Sequence, residues 1–289
     1  MQSGKNLTTI SLGHFKNNVD RIIIASYNKV RNLQSIKERK VKTMIKFLIS
    51  PAHKKYKDLL FRISNLETAV NCLIESPKYV ESLEVGFNGQ AHRKVIFQEL
   101  LSLFDFDAIL ETGTWIGNTT GYMAKISNLP IYTCELDKLL HSLAKMRLKD
   151  VPNIILELSD SREFLKKMKR TDIVKKRVFI YLDAHCNDDL PLQKELEIIC
   201  SNWRDFVIMI DDFQVPGDVG YGYDNYGKKK ILSLDMFSRT FSKHDLISFF
   251  PTLPSAEETG LKRGCVVLTR NGEWSEKLSR LQSLTKSGF

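Results

Sequence analysis

From residue 90 onward, short apolar runs alternate with longer segments that repeat with helical periodicity. Helices are predicted over 90–104, 117–126, 137–148, 161–169, 190–201 and 228–242. The apolar runs predict seven strands, at 108–112, 131–135, 154–158, 178–183, 206–211, 246–250 and 265–269.

The character of these strands indicates the kind of sheet. The first five are continuously apolar, which is typical of parallel strands covered by helices on both faces. Their alternation with helices predicts a doubly wound α/β domain. The last two strands have no helix between them and flank the loop 251–264, so we expect an antiparallel hairpin at one sheet edge. The expected fold is therefore a seven-stranded, mostly parallel sheet with a C-terminal antiparallel hairpin.

A different pattern precedes this domain. Helices are predicted over 16–49 and 54–76, separated at Ser50-Pro51 because proline disfavours helix continuation. The second helix carries an apolar face at alternating steps of three and four, formed by Tyr56, Leu59, Ile63, Leu66, Val70 and Leu73. Such a face suits either docking on its own domain or a homodimer. We therefore divide the chain into a helical N-terminal appendage, residues 1–86, and a domain over 87–289.

Charge is concentrated in the appendage. The chain has 289 residues and a net charge of +9, but residues 1–62 hold 14 Lys/Arg against three acids, a net charge of +11. The remaining residues therefore sum to −2. A basic segment of this kind is suited to nucleic acid, anionic lipid or an acidic partner, or serves as a solvated helix face. No aromatic-basic RNA motif accompanies it, so nucleic acid is not the leading expectation.

Targeting signals and metal-binding cysteines are not expected. No apolar run approaches the ~18 residues of a membrane span, and residues 1–15 lack a signal-peptide core. The five cysteines are scattered and form no C-x-x-C pair, which favours reduced thiols over a zinc site. These features predict a cytoplasmic protein.

The most informative segment follows the first strand. It reads Glu111-Thr-Gly113-Thr-Trp-Ile-Gly117, so an acid ends the strand and two glycines stand at G-x-x-x-G spacing. A dinucleotide fingerprint requires G-x-G-x-x-G, and a phosphate loop requires Lys-Ser/Thr after its glycines. Neither is present. The segment therefore favours a cofactor without phosphates, or simply a strand-to-helix turn that uses glycine for positive φ.

Acids recur at the ends of the first five strands. Because ligands of open α/β sheets bind outside the carboxyl ends of the strands, we expect these side chains to share one edge. So many anions would repel one another without compensating cations or hydrogen-bond donors. The acids are Glu111, Glu135, Asp160, Asp183, Asp211 and Asp212.

The ordered set resembles the class I S-adenosylmethionine-dependent methyltransferases over roughly residues 90–270. The resemblance implies a Rossmann-like methyltransferase fold with S-adenosylmethionine as cofactor. It assigns the 111–117 segment to the family's first motif and Glu135 to the ribose hydroxyls. It also places Asp160 and Ser161 near the adenine. The residues expected to contact the cofactor are Glu111, Gly113, Thr114, Gly117, Glu135, Asp160, Ser161 and Asp183.

The fourth and fifth strands resemble those of metal-dependent O-methyltransferases of the catechol, caffeoyl-CoA and macrolide-sugar types. Those enzymes place a carboxylate after strand four and an acidic pair after strand five. The resemblance implies Asp183, Asp211 and Asp212 as ligands of Mg²⁺, an ion that prefers oxygen ligands. The alternative is that the three aspartates hydrogen-bond to loop amides and to the cofactor, in a metal-independent methyltransferase.

The expected reaction is methyl transfer to a hydroxyl of a small acceptor, such as a sugar or a natural product. His185 and Asp183 are the expected catalytic residues, with His185 as the general base because an imidazole accepts a proton near neutral pH. The loop 213–227, with four glycines and three tyrosines, is expected to be a mobile lid over the acceptor. The alternative is an RNA-directed methyltransferase, or another nucleic-acid-binding protein, that uses the basic N-terminal segment.

Overall fold

The computed structural model describes residues 55–56, 59–60, 62–64, 66–67, 83–184, 189–227 and 230–287. The described residues between 55 and 67 are helical. The predicted helix 16–49, most of the predicted helix 54–76 and most of the basic segment lie outside the described residues. The appendage, its boundary at residue 86 and the homodimer face therefore stay predictions.

Strands and helices alternate through the described part of the domain, as the apolar pattern predicts. The strands are β1 (Ala108–Thr112), β2 (Ile131–Glu135), β3 (Ile154–Leu158), β4 (Val178–Leu182), β5 (Phe206–Asp211), β6 (Leu246–Pro251), β7 (Cys265–Arg270) and β8 (Leu284–Lys286). The α-helices are α1 (Ala91–Leu103), α2 (Asn118–Ser127), α3 (Lys138–Arg147), α4 (Ser161–Met168), α5 (Leu192–Asn202), α6 (Leu234–Lys243) and α7 (Glu273–Leu278). Two 3₁₀ segments cover Leu83–Gly89 and Asp172–Lys175.

The strands form one sheet in the order β3-β2-β1-β4-β5-β7-β6-β8. The first five pair in parallel, and β7 joins β5 antiparallel. This confirms the doubly wound, mostly parallel α/β fold. The prediction of seven strands was one short, because the polar three-residue β8 carries no apolar signal.

The C-terminal hairpin is present but does not form the sheet edge. β6 pairs antiparallel with β7 as predicted, and β8 then covers the outer side of β6. The opposite edge is β3, whose residues are partly exposed rather than buried on both faces. β3 contains the charged Glu157 and lies at the sheet edge, so the expectation that all five parallel strands are apolar throughout and fully covered was wrong at this position.

Helices on the two faces bury the sheet in separate apolar layers. Side chains of β1, β4 and β5 alternate between these layers, as pleated strands require. One layer packs α4, α5 and α6 against the sheet, with the fully buried Trp203 in it. The other packs α1, α2 and α7, and includes Phe87 among the rings of Phe97, Tyr122 and Tyr181. Helices thus cover both faces of the central strands, so a ligand site is expected at the strand ends.

Two further features concern the described residues alone. Cys134, Cys200 and Cys265 are free and buried. Within the described ranges, every helix is too short or too polar to cross a membrane.

Candidate active site

The carboxyl ends of the parallel strands meet where the strand order reverses. β1 lies between β2 and β4, and Glu111 near its end is in register with Thr133 and Tyr181 of those strands. Ligands of open α/β sheets bind outside the strand ends at such a reversal. The first candidate position is therefore the turn that leaves β1.

Three residues with positive φ shape this turn: Gly113 at 84°, Trp115 at 51° and Gly117 at 82°. A Cβ at Gly113 would lie 2.3 Å from the carbonyl oxygen of Asp183, and one at Gly117 would lie 2.7 Å from Cδ1 of Leu148. Packing against backbone thus requires glycine at 113, whereas at 117 the left-handed φ favours glycine because the Leu148 side chain could shift. Their predicted contact with the cofactor stays a prediction, and it comes in addition to this packing role.

Glu111 lies beneath the turn and is buried. Its Oε2 atom accepts hydrogen bonds from the hydroxyls of Thr120 and Thr133, both at 2.6 Å. The Thr133 hydroxyl also lies 2.5 Å from that of Thr114. Burial raises the pKa of Glu111 to about 7, although both hydrogen bonds oppose the rise. Glu111 and Thr114 therefore join β1, β2 and α2 under the turn.

Glu135 ends β2 and is oriented by two backbone donors. The Trp115 N–H donates to its Oε2 and the Asp137 N–H to its Oε1, each at 2.8 Å. A carboxylate has about four acceptor positions, so two remain to accept a pair of vicinal hydroxyls. Leu136 and Leu158, at the ends of β2 and β3, are 63% and 49% exposed. A held carboxylate beside exposed apolar side chains suits a ribose with its attached base.

Asp160 and Ser161 mark the start of α4. Asp160 is the N-cap of this helix, and its carboxylate accepts from the Arg162 N–H at 2.8 Å and pairs with the Arg162 guanidinium at 2.5 Å. Hydrogen bonds from Arg162 hold the pKa of Asp160 below its usual range, although burial opposes this. The contacts of Asp160 are those of a helix cap, and the predicted adenine contact of both residues stays a prediction.

Asp211, the last residue of β5, is saturated with donors. Its Oδ1 atom pairs with Arg93 and accepts from the Asp212 N–H at 2.8 Å. Its Oδ2 atom accepts from the Tyr181 hydroxyl at 2.6 Å and from the Asn88 amide at 3.1 Å. Burial opposes ionisation, but the charge of Arg93 holds the pKa of Asp211 below its usual range.

Asp212 and Asp183 complete the acidic set. Asp212 adopts a positive φ of 54° and pairs with Arg263, which also pairs with Asp224. Burial and the neighbouring Asp211 raise the pKa of Asp212 to about 7. Burial raises the pKa of Asp183 well above its usual range, and the charges of Asp211 and Asp212 add to this.

The predicted ligand set does not fit a Mg²⁺ ion in this arrangement. All four acceptor positions of Asp211 are used by protein donors. Nowhere in the described ranges do three or more His, Cys, Asp or Glu side chains converge to hold a metal ion. His185, the predicted base, lies outside the described residues, so its role stays a prediction.

The loop after β5 and the loop between β6 and β7 are fastened to each other. The Asp218 carboxylate accepts from the N–H and hydroxyl of Ser255, at 2.7 and 2.5 Å. The Gly222 N–H donates to the Lys262 carbonyl at 2.8 Å, and the Gly264 N–H to the Gly222 carbonyl at 2.7 Å. The predicted lid is therefore joined to the hairpin loop through several bonds.

Glu195 on α5 is a polar residue that the sequence motifs did not identify. It is fully buried, and among the described residues neither of its carboxylate oxygens has a hydrogen-bond partner. The hydroxyls of Ser161 and Thr112 face it without reaching hydrogen-bond geometry. Burial raises the pKa of Glu195 to about 7.

The sequence motifs did not identify Arg93 either. Both Arg93 and Glu195 lie on helices whose buried faces are otherwise apolar. Arg93 shares the buried face of α1 with Ile96, Phe97 and Leu100, and Glu195 shares that of α5 with Leu192, Leu196 and Ile199. A charged residue on an otherwise apolar helical stripe requires a buried partner or a shifted pKa. This pattern was visible in the sequence. The pairing of Arg263 with Asp212 was not, because both lie in loops.

No protein-family model and no curated protein matches the chain. Among solved structures it is similar to the O-methyltransferase TomG from Streptomyces achromogenes in complex with S-adenosylmethionine, with 15% identity over 72% of this chain and 90% of that chain and a TM-score of 0.49. It is also similar to the O-methyltransferase from Bacillus cereus in complex with S-adenosylhomocysteine, with 16% identity over 72% and 91% and a TM-score of 0.47.

A third similar structure is fibrillarin from Aeropyrum pernix with natively bound S-adenosyl-L-methionine. The identity is 18% over 64% of this chain and 80% of that chain, with a TM-score of 0.42. The first two are named as O-methyltransferases, and all three structures contain S-adenosylmethionine or S-adenosylhomocysteine. Identities and TM-scores of this size transfer no residue roles, so the role of each residue rests on the chain's own contacts.

The packing role of Gly113 predicts a large loss of stability in Gly113→Ala. Positive φ alone costs an alanine about 1–2 kcal/mol, and the clash with the Asp183 backbone adds about 1–3 kcal/mol. Gly217→Ala is the matched control, because Gly217 has a φ of 79° and an added Cβ there would meet no atom within 4 Å. Urea unfolding should show the smaller loss at Gly217, and equal losses at both positions would contradict the packing role.

The buried Glu195 predicts a pH dependence of stability. Its pKa is raised on folding, so the folded chain binds more protons than the unfolded chain between the usual pKa and about 7. Stability therefore falls as pH rises through this window and levels off above it. Glu195→Gln should be near neutral at pH 5 and stabilising by about 1–3 kcal/mol at pH 8.

Urea unfolding at the two pH values measures the effect of Glu195→Gln. Glu276→Gln, an exposed position on α7, is the control and should change little at either pH. A Glu195→Gln effect that is the same at pH 5 and pH 8 would show that the Glu195 carboxyl does not titrate in this range.

Proposed function

We propose that this chain transfers a methyl group from S-adenosylmethionine to a hydroxyl oxygen of a small acceptor. The observation that carries the proposal is the pairing of the 113–117 turn with the Glu135 carboxylate at the reversal of strand order. The Trp115 N–H in that turn orients Glu135 directly, at 2.8 Å. The turn and the carboxylate thus form one unit at the position where such folds bind a nucleoside.

The cofactor side has the chemistry that this molecule requires. S-adenosylmethionine supplies a methyl group on a positively charged sulfur. Glu135 accepts the ribose hydroxyls, while Leu136 and Leu158 offer apolar surface to the base. Asp183 follows β4 in the chain. Its backbone N–H donates to the Thr112 carbonyl at 2.9 Å, which holds it beside the turn. A cationic ligand there would offset the burial and the like charges that raise the pKa of Asp183.

The acceptor side lies toward β5 and its loop. The acceptor oxygen forms a bond to the methyl carbon, while the carbon–sulfur bond breaks and its electron pair stays on sulfur. The hydroxyl proton goes to a base on this side of the site. Asp183 and Asp212 are the described candidates by position. The pKa of Asp212, raised to about 7, suits a group that accepts a proton near neutral pH. His185 is the third candidate, and no step requires Mg²⁺.

The size of the acceptor follows from the fastened loops. The Asp218–Ser255 and Gly222–Lys262 bonds hold the loop after β5 against the loop between β6 and β7. Two joined loops beside the strand ends favour a small molecule over a polymer. A basic segment with a net charge of +11 over residues 1–62 supports the alternative of an RNA acceptor. Binding that weakens steeply with added salt would favour RNA.

Calorimetry with S-adenosylhomocysteine, the demethylated product, tests the cofactor site. The wild-type chain should bind it, and Glu135→Ala should weaken binding by about tenfold or more, because hydrogen bonds to a charged group contribute about 1.5–3 kcal/mol. Glu157→Ala is the control, since Glu157 on the neighbouring β3 pairs with Lys167 instead. Absence of binding by the folded wild-type chain would refute the proposed function.

A further inference from the structure

The acceptor edge, meaning the carboxyl ends of β4 and β5 with the loop after β5, contains permanent positive charges of its own. Arg93 pairs with Asp211, and Arg263 pairs with both Asp212 and Asp224. The acids at this edge led the sequence-based prediction to a metal ion, because clustered carboxylates require cations. The structure brings two guanidinium groups to the same carboxylates.

The Arg93 group is fixed in the interior. Arg93 and Asp211 are each only 1% exposed. The second terminal nitrogen of Arg93 donates to the carbonyl of Arg263, so one side chain connects the end of β5 to the start of β7. A Mg²⁺ ion bound by Asp211 would have to displace Arg93, Tyr181 or Asn88 from a carboxylate that they already saturate.

The Arg263 group is positioned through its backbone. The Arg263 N–H donates to the Gln90 side chain at 2.8 Å, and the Gln90 amide donates back to the Arg263 carbonyl at 2.9 Å. This reciprocal pair places the guanidinium between Asp212 and Asp224, with its Nε on the first and an Nη on the second. The planar fork of arginine suits such a bridge between two carboxylates.

We infer that Arg93 and Arg263 take the place that a divalent cation holds in metal-dependent O-methyltransferases, and that the acceptor edge of this chain functions without a metal. The inference deepens the proposed function and rests on it for its meaning in catalysis. A divalent ion binds an acceptor through neighbouring oxygens, whereas Arg263 is already bridged between two carboxylates. The substrate class is therefore a hydroxyl compound that needs no second, chelating oxygen.

Manganese binding tests the inference on the full-length chain. Mn²⁺ is the probe, in the absence of cofactor and acceptor. Its binding is followed by calorimetry and by the loss of the electron-spin-resonance signal of free Mn²⁺. The wild-type chain should show no saturable Mn²⁺ binding. Arg263→Leu leaves Asp212 and Asp224 without their shared cation, so this variant should acquire saturable Mn²⁺ binding. A folded Arg263→Leu variant that binds no Mn²⁺ would overturn the role assigned to Arg263. Arg263→Lys keeps a positive charge and should behave as the wild type does.

Arg177→Leu is the matched control, because Arg177 also bridges two aspartates, Asp105 and Asp107, at the amino ends of β1 and β4. An equal gain of Mn²⁺ affinity in Arg177→Leu would overturn the local role of Arg263. The whole inference is overturned if the wild type binds Mn²⁺ tightly and stoichiometrically and Asp211→Asn abolishes that binding. Binding of S-adenosylhomocysteine is measured separately, so failure of the proposed function and failure of this inference give different results.

Discussion

The buried ion pair between Arg93 and Asp211 is the interaction on which the candidate site depends. Two charges removed from water are costly unless each is paired and fully hydrogen-bonded, and breaking such a pair costs about 3–5 kcal/mol. Here Tyr181 from β4 and Asn88 before α1 donate to the carboxylate, and Arg93 donates to the Arg263 carbonyl just before β7. The ion pair thereby fixes the relative position of two strands, one helix and two connecting segments.

This constraint determines which acids remain for chemistry. Asp211 has the lowered pKa of a satisfied anion, while Asp183 and Asp212 beside it have raised pKa values. Asp211 is therefore held as an anion, whereas burial and neighbouring charge oppose ionisation of Asp183 and Asp212. On the cofactor side the arrangement is different. Glu135 is held by two backbone donors, and Glu111 is sealed under the turn by two threonine hydroxyls.

Much of the fold could be predicted because it depends on local patterns. Continuous apolar runs identify the first seven strands almost to the residue, since buried strands of a covered sheet carry little else. The polar β8 and the six-residue α7 leave no such pattern. The predicted helix 228–242 begins six residues too early, because α6 starts only at Leu234. Sequence periodicity does not show where a loop ends and a helix begins.

The candidate site could be predicted only in part. Its acids were found because they end apolar runs, and that signal is local. Their partners are distant in sequence, since Arg93 lies 118 residues before Asp211 and Arg263 lies 51 residues after Asp212. A single sequence contains the charges but not the pairing. The sequence led to the expectation that these acids need compensating cations or hydrogen-bond donors, and it named Mg²⁺. The arginines that pair with Asp211 and Asp212 became visible only in three dimensions.

A crystal structure of the full-length chain, grown with S-adenosylhomocysteine and Mn²⁺, tests the central claim most directly. We predict S-adenosylhomocysteine at the 113–117 turn with its ribose on Glu135, Arg93 on Asp211, and no anomalous manganese peak among Asp183, Asp211 and Asp212. A manganese ion bonded to Asp211, with Arg93 displaced from the carboxylate, would contradict the account.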